Sequence, residues 1–316
     1  MSRLRAILGP ALALAVSVSA RAAEPCHIVD ATTHLAAVAA ATTGASEAEQ
    51  LAAYRAALIE PHPGLYSTDV LTLAGPALER QILRSLAQAR KSGELSDFKE
   101  TLRQEIGASA AAFAVFADFR CDFPIYFADT LGEMDGAGRI VDGQRSLVLG
   151  VSVVQHEAGK IALPVLLRHE FFHRYHYRAG GFSDDLEERQ EIWRNLWAEG
   201  LATYASEVLT PGATRAQALM LPADLEQRCR PQLLRMAQQL LRGLDTKDPD
   251  MFRSYFSYNQ EKDGIPTRAG YYVGYVVAQR LAAHHTLAQL AHLRGAAAHR
   301  AIVAELTQLA HASAAP

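Results

Sequence analysis

Apolar side chains fall into helical spacing early in the chain. Leu78, Ile82, Leu83 and Leu86 recur at three- and four-residue intervals, which predicts a helix over 76–91. A helix over 47–59 precedes it, stopped by Pro61-His62-Pro63-Gly64, and Ser96 with Glu100 begins another. The pattern then changes. Phe113-Ala114-Val115-Phe116, Pro124-Ile125-Tyr126-Phe127 and residues 146–151 are short apolar or alternating runs. Gly132, Asp135-Gly136, Gly138 and Asp142-Gly143 punctuate them as turns, so 113–155 reads as the strand-bearing part. Helical spacing returns at 165–178, with Pro164 suited to a first turn and Ala179-Gly180-Gly181 to a helix end. A second long helix is expected from Asp184, with Glu187 three positions on as in a capping box, to Leu209, where Thr210-Pro211-Gly212 stops it. The fold class is therefore α+β, mainly helical, with a small sheet ahead of the 165–178 helix.

That helix carries His169-Glu170-Phe171-Phe172-His173. Positions i and i+4 share a helix face, so both imidazoles can reach one metal ion while the glutamate between them points beside it. The arrangement specifies a zinc ion and Glu170 as the general base of a hydrolysis, most often of peptide bonds.

Two histidines are one ligand short, because catalytic zinc takes three protein ligands and keeps one position open. Glu199 lies in Trp197-Ala198-Glu199-Gly200-Leu201-Ala202-Thr203-Tyr204, among apolar and small residues that turn it inward. An inward carboxylate is costly unless it is paired or ligates a metal. Twenty-six positions separate it from His173, enough for one turn and an antiparallel return. His169, His173 and Glu199 are the expected ligands of one Zn2+.

The Glu199 segment resembles the third-ligand helix of gluzincin metallopeptidases, and locally that of aminopeptidase N-type enzymes. Their Gly-x-Met-Glu-Asn segment is missing, and their spacing from second histidine to glutamate is shorter, so exopeptidase specificity does not carry over. A closer match over residues 110–285 is a bacterial family of predicted zinc-dependent proteases with a later Gly-Tyr-x-x-Gly-Tyr, present here as Gly270-Tyr271-Tyr272-Val273-Gly274-Tyr275. The resemblance implies a zincin-like catalytic domain over 111–316. Residues 23–110 look helical and alanine-rich, and with no long Gly/Ser/Pro linker after them they read as an N-terminal cap packed on the catalytic part. The resemblance also implies an edge strand that binds the substrate backbone by strand addition; residues 146–151 are the candidate.

Tyr271 is the candidate electrophile for the developing oxyanion, with Tyr275 a weaker one on the same helix face. Both also fit an ordinary core role, with hydroxyls bonded to backbone. Gly270 and Gly274 share the adjacent face and permit close helix approach. Asn195 and Thr203, four positions either side of Glu199, are candidates for orienting a ligand histidine, and equally read as ordinary polar helix positions. His285, His292 and His299 lie seven apart on an expected C-terminal helix. Seven residues rise about 10.5 Å, so consecutive members cannot share an ion. His62, His156 and His176 lack partner spacing and read as ordinary residues, with a place at the pocket border as the alternative for His176, three positions past His173.

Residues 1–22 pair a basic start with an apolar stretch and Ala20-Arg21-Ala22, the pattern of a cleavable signal peptide too short to span a bilayer, with an uncleaved anchor as the alternative. A periplasmic or secreted location follows. An oxidising compartment permits one disulfide among Cys26, Cys121 and Cys229, with connectivity open and one thiol left over. Net charge is −3 with no basic run, which excludes an electrostatic nucleic-acid footprint and leaves a peptide or protein substrate as the expected partner. The alternative is a non-catalytic, zinc-holding binding or chaperone-like protein on the same fold. Glu170 discriminates: a structural zinc site has no use for it.

Overall fold

Eighteen residues of mostly apolar character organise the molecule. The computed structural model describes residues 26–93, 95–183, 191–258, 261 and 263–311. The expected leader, 1–22, and the capping-box pair Asp184 and Glu187 lie outside the described residues. In chain order the elements are β1 (Ile28–Asp30), α1 (Leu35–Ala41), α2 (Glu47–Tyr54, continued by a π-turn over Arg55–Ile59), α3 (Gly75–Ser92), α4 (Ser96–Ala112), β2 (Ile125–Ala128), β3 (Gly136–Val141) and β4 (Gln144–Gly150). Then come α5 (Val151–Glu157), α6 (Leu163–Gly180), α7 (Ile192–Val208), α8 (Arg215–Leu219), α9 (Leu225–Cys229), α10 (Leu233–Gly243), α11 (Pro249–Phe256), α12 (Ala269–Leu281), α13 (Leu287–Ala291) and α14 (Gly295–His311). The protein is mainly helical with one small sheet, an α+β arrangement.

Helix α6 starts with Pro164 in its first turn and stops at Gly181, whose φ of 73° is the left-handed conformation that glycine reaches without strain. Most of its residues are buried around the whole circumference, as in a helix enclosed by its neighbours. It packs on α7, on α4 and on the sheet. Phe171, Phe172 and Tyr175 meet Phe113, Phe116 and Phe119 in an aromatic cluster, with Phe116 stacked on Tyr175 at 4.4 Å.

That cluster explains a departure from expectation. Residues 113–116 are not a strand; Phe113–Val115 is a 3-10 turn extending α4. Phe113 and Phe116, three apart, turn to one side and are buried, while Val115 is 71% exposed. A strand would have put Phe113 and Val115 on one face.

The sheet runs β1-β2-β4-β3, with β1/β2 and β2/β4 parallel and β3/β4 an antiparallel hairpin. Asp142 and Gly143 close the hairpin with φ of 49° and 77°, the signs a type I′ turn requires. Strand β4 is thus internal and does not supply the edge expected at 146–151; Val151 already belongs to α5. The edge is β3. Along β4, Leu147 and Leu149 face the large core that surrounds α6, and Val148 faces a smaller core with Tyr54, Leu58, Ile82 and Leu86. The sheet is covered on both faces, and β1 brings residues from the N-terminal helical region into it.

The C-terminal residues form α12, α13 and α14 rather than one helix. His285 lies between elements, His292 follows α13, and His299 is on α14. His292 meets Asp118 and His299 meets Asp245, so they do not form a common stripe. No helix of the described residues is long and apolar enough to cross a membrane.

Cys26 and Cys121 are joined, tying the start of β1 to the segment before β2, and Cys229 is buried as a free thiol. The bond closes a loop of 95 positions. In the chain-entropy view such a loop contributes about 4–5 kcal/mol by restricting the unfolded chain. A Cys121→Ser protein is expected to unfold at correspondingly lower urea concentration, and reductant should lower the wild type to the same midpoint.

Candidate metal centre

Helices α6 and α7 lie side by side, and their facing side chains meet at one point. His169 Nε2 and His173 Nε2 are 3.0 Å apart, and Glu199 Oε2 lies 3.4 Å from the first and 3.3 Å from the second. Ligands bonded tetrahedrally to zinc at about 2.0–2.1 Å stand about 3.3–3.4 Å from one another. The three atoms thus form nearly one face of such a tetrahedron, and they are the one group of His, Cys, Asp or Glu side chains among the described residues that could hold a metal ion. Both histidines are buried, with rings at 84° to each other. Burial brings the His169 imidazole down to about 4, so it is neutral, as a ligand must be. Burial alone would lift Glu199, but His173 and His169 outweigh it and hold the carboxyl well below its ordinary range. Burial likewise opposes the charged form of His173, yet Glu199 and Glu170 keep its pKa raised. Donor set, spacing and charge fit a divalent cation of borderline softness.

The Nδ1 atoms of both histidines are buried without a hydrogen-bond partner. Packing orients the rings instead: Tyr271 stacks on His169 at 6.3 Å and Tyr177 meets His173 edge-on at 5.5 Å. Thr203 does not orient a ligand histidine; its hydroxyl donates to the Glu199 carbonyl at 2.7 Å. Asn195 lines the pocket, but its amide donates to the Glu191 carbonyl at 3.2 Å. His176 is enclosed by Phe172, Phe182 and Trp197 and does not line the pocket.

Glu170 sits beside the cluster and outside its ligand triangle. Burial pushes its carboxyl up to about 7, with His173 opposing the rise and Asp135 adding to it. Its side chain lies against β3, where a Cβ at Gly136 would come 3.0 Å from Glu170 Cγ and 3.2 Å from its carboxyl carbon. The glycine therefore lets the strand pass close to the carboxylate. A pocket of about 610 Å3 collects His169, Glu170, His173, Glu199 and Tyr271 with the β3 residues Gly136 and Gly138. A larger cavity of about 1020 Å3 adjoins it through Arg174, Tyr177, Ser183 and Lys247, and is lined with arginines rather than with ligand groups.

Tyr271 and Tyr275 separate. Tyr271 is in the pocket, while the Tyr275 hydroxyl donates to Glu207 at 2.5 Å, away from it. Helix α12 reaches the site because Gly274 touches Gly200, the residue after Glu199. A Cβ at Gly274 would lie 2.7 Å from the Gly200 Cα, and one at Gly200 would overlap the Gly274 backbone. Backbone cannot swing aside as a side chain can. Gly200→Ala is expected to cost about 3 kcal/mol or more, read as a lowered thermal midpoint and soluble yield.

One pocket residue has no counterpart in the sequence reading. Arg268, at the start of α12, is 4% exposed and holds a left-handed φ of 59°. The single charge just ahead of the apolar 269–281 run was its signal in the sequence.

No family model, curated protein or solved structure matches this chain.

Proposed function

We propose that the protein is an exported zinc-dependent metallopeptidase of the gluzincin type, with a zincin-like catalytic half. The observation that carries this reading is the three-atom ligand triangle with a buried, unligated Glu170 beside it. His169, His173 and Glu199 would hold the ion. A zinc ion there supplies Lewis acidity, polarising the substrate carbonyl and making water easier to deprotonate. Glu170 takes a proton from the attacking water and delivers it to the leaving amine as the C–N bond breaks. A carboxyl near 7 exchanges protons readily in both directions at neutral pH.

Substrate enters along β3, whose outer edge faces away from β4. Main-chain pairing there would lay an extended peptide across the pocket, with Gly136 admitting it close to Glu170. Tyr271 donates its hydroxyl toward the oxyanion. Burial holds that phenol well above its ordinary pKa, so it remains a donor through the working range.

The test is digestion of a diverse peptide mixture by purified protein, read by mass spectrometry, with its metal content measured alongside. Cleavage that disappears with a chelator and returns with one equivalent of Zn2+ supports the reading. A protein carrying one zinc that cuts nothing favours the zinc-holding binding protein.

A further inference from the structure

Arg268 is a buried cation that, among the described residues, has no carboxylate in ion-pair contact. Its guanidinium is charged at any working pH. The acids that act on it through space are Glu199, already committed to His169 and His173, and Glu157 on α5. Nη1 donates to the carbonyls of Leu219 and Leu221, at 3.3 and 2.5 Å. Tyr271 lies under the guanidinium at 3.8 Å and Tyr258 at 4.7 Å. The guanidinium also donates to the Tyr271 and Tyr258 hydroxyl oxygens, while Nε is buried without a partner. The Nε–Nη2 edge is the planar fork that takes a carboxylate by two parallel hydrogen bonds. Arg268 lines the same pocket as the metal ligands and Glu170. Leaving a buried charge unpaired is costly, and a binding pocket is where a ligand can supply the missing partner.

We infer that Arg268 is the anion-recognition residue of this pocket, and that the substrate presents a carboxylate to it beside the bond to be cut. The inference rests on the peptidase reading for the peptide, but not for the carboxylate. Two sources share that chemistry: an Asp or Glu side chain next to the scissile bond, or the free C-terminus of a peptide. Tyr258 and Phe252, exposed at 62% and 41%, also line the pocket and offer apolar contact to whatever carries the carboxylate.

Binding separates the cases without requiring turnover. Three fluorescent peptides share one apolar core. The first has a free C-terminus and no acidic side chain, the second an amidated C-terminus and one central Glu, and the third an amidated C-terminus and no acid. Anisotropy is measured on zinc-loaded Glu170→Gln protein. The first or the second is expected to bind about 10- to 100-fold more tightly than the third, the range for hydrogen bonds to a charged group. Which one does so names the source. Arg268→Met should erase the preference and Arg268→Lys retain a fraction of it, with zinc content and thermal midpoint showing that each variant is folded. Equal binding of all three peptides by the Arg268 protein overturns the inference, whether or not the variants fold. Carboxylate preference without cleavage by the wild type removes the peptidase reading and keeps the anion site. Cleavage without that preference does the reverse.

Discussion

Glu170→Gln is expected to keep the metal and lose the reaction. kcat/KM should fall by about 10^3-fold, within the range for loss of one acid–base group, while zinc per chain stays at the wild-type level. The reason is positional. Glu170 contributes no atom to the ligand triangle, and glutamine fills the same space against Gly136. The two proteins should also differ in pH profile. The wild type loses kcat/KM on the acid side, at or below pH 7, as Glu170 takes up a proton; the variant has no such limb. Stability runs the other way. A carboxyl raised from 4.5 to about 7 binds its proton more tightly in the folded state than in the unfolded chain. Its penalty is absent below about pH 4.5, grows as pH rises and is complete above about 7. Metal-free Glu170→Gln should therefore match the wild type near pH 4 and exceed it by about 3 kcal/mol at pH 8, read by urea unfolding. A variant that is inactive but less stable at pH 8 would mean that Glu170 serves the fold rather than the chemistry.

Glu199→Ala is expected to abolish metal retention. It takes away one of three ligand atoms and leaves two buried imidazoles facing each other at 3.0 Å without the carboxylate that bridges them. Zinc affinity should drop by more than the roughly 10–100-fold that follows loss of a supporting residue. Activity should then not return at micromolar zinc. Thr203→Val is the matched control one turn further on: it removes a hydroxyl bonded to the Glu199 carbonyl and should leave zinc affinity unchanged. Competition with a chromogenic chelator measures both. Equal affinity of the Glu199→Ala protein and the wild type would remove Glu199 from the ligand set.

The ligand helix was legible because its constraints are local. Pro164 and Gly180-Gly181 bound it, and i, i+4 spacing alone places His169 beside His173. Glu199 was legible for a related reason, since a carboxylate among apolar residues has few tolerable fates. The edge strand was not. Gly136 and Gly138 read as turn residues, yet they lie in a strand, because Glu170 from another element occupies the space a side chain at Gly136 would need. Phe113 and Phe116 misled in the same way: their aromatic character suggests a strand, and their partners on α6, far along the chain, fix them as a helical turn. Arg268 depends on the carbonyls of Leu219 and Leu221 and on Tyr258 and Tyr271, a set that only the folded chain assembles. What sequence periodicity misses is what distant elements impose on one another.

The joint between Gly200 and Gly274 sets how this site fails. Glu199 stands next to it on α7, and Tyr271 one turn from it on α12. Main chain rests on main chain there, so no rotamer change can absorb a small displacement of one helix against the other. The ion cage and the phenol are registered by one mechanical contact. Heating should not strip them in sequence, with a loosened but metal-bound form in between. Zinc release, loss of activity and loss of α7–α12 packing should fall on a single transition curve.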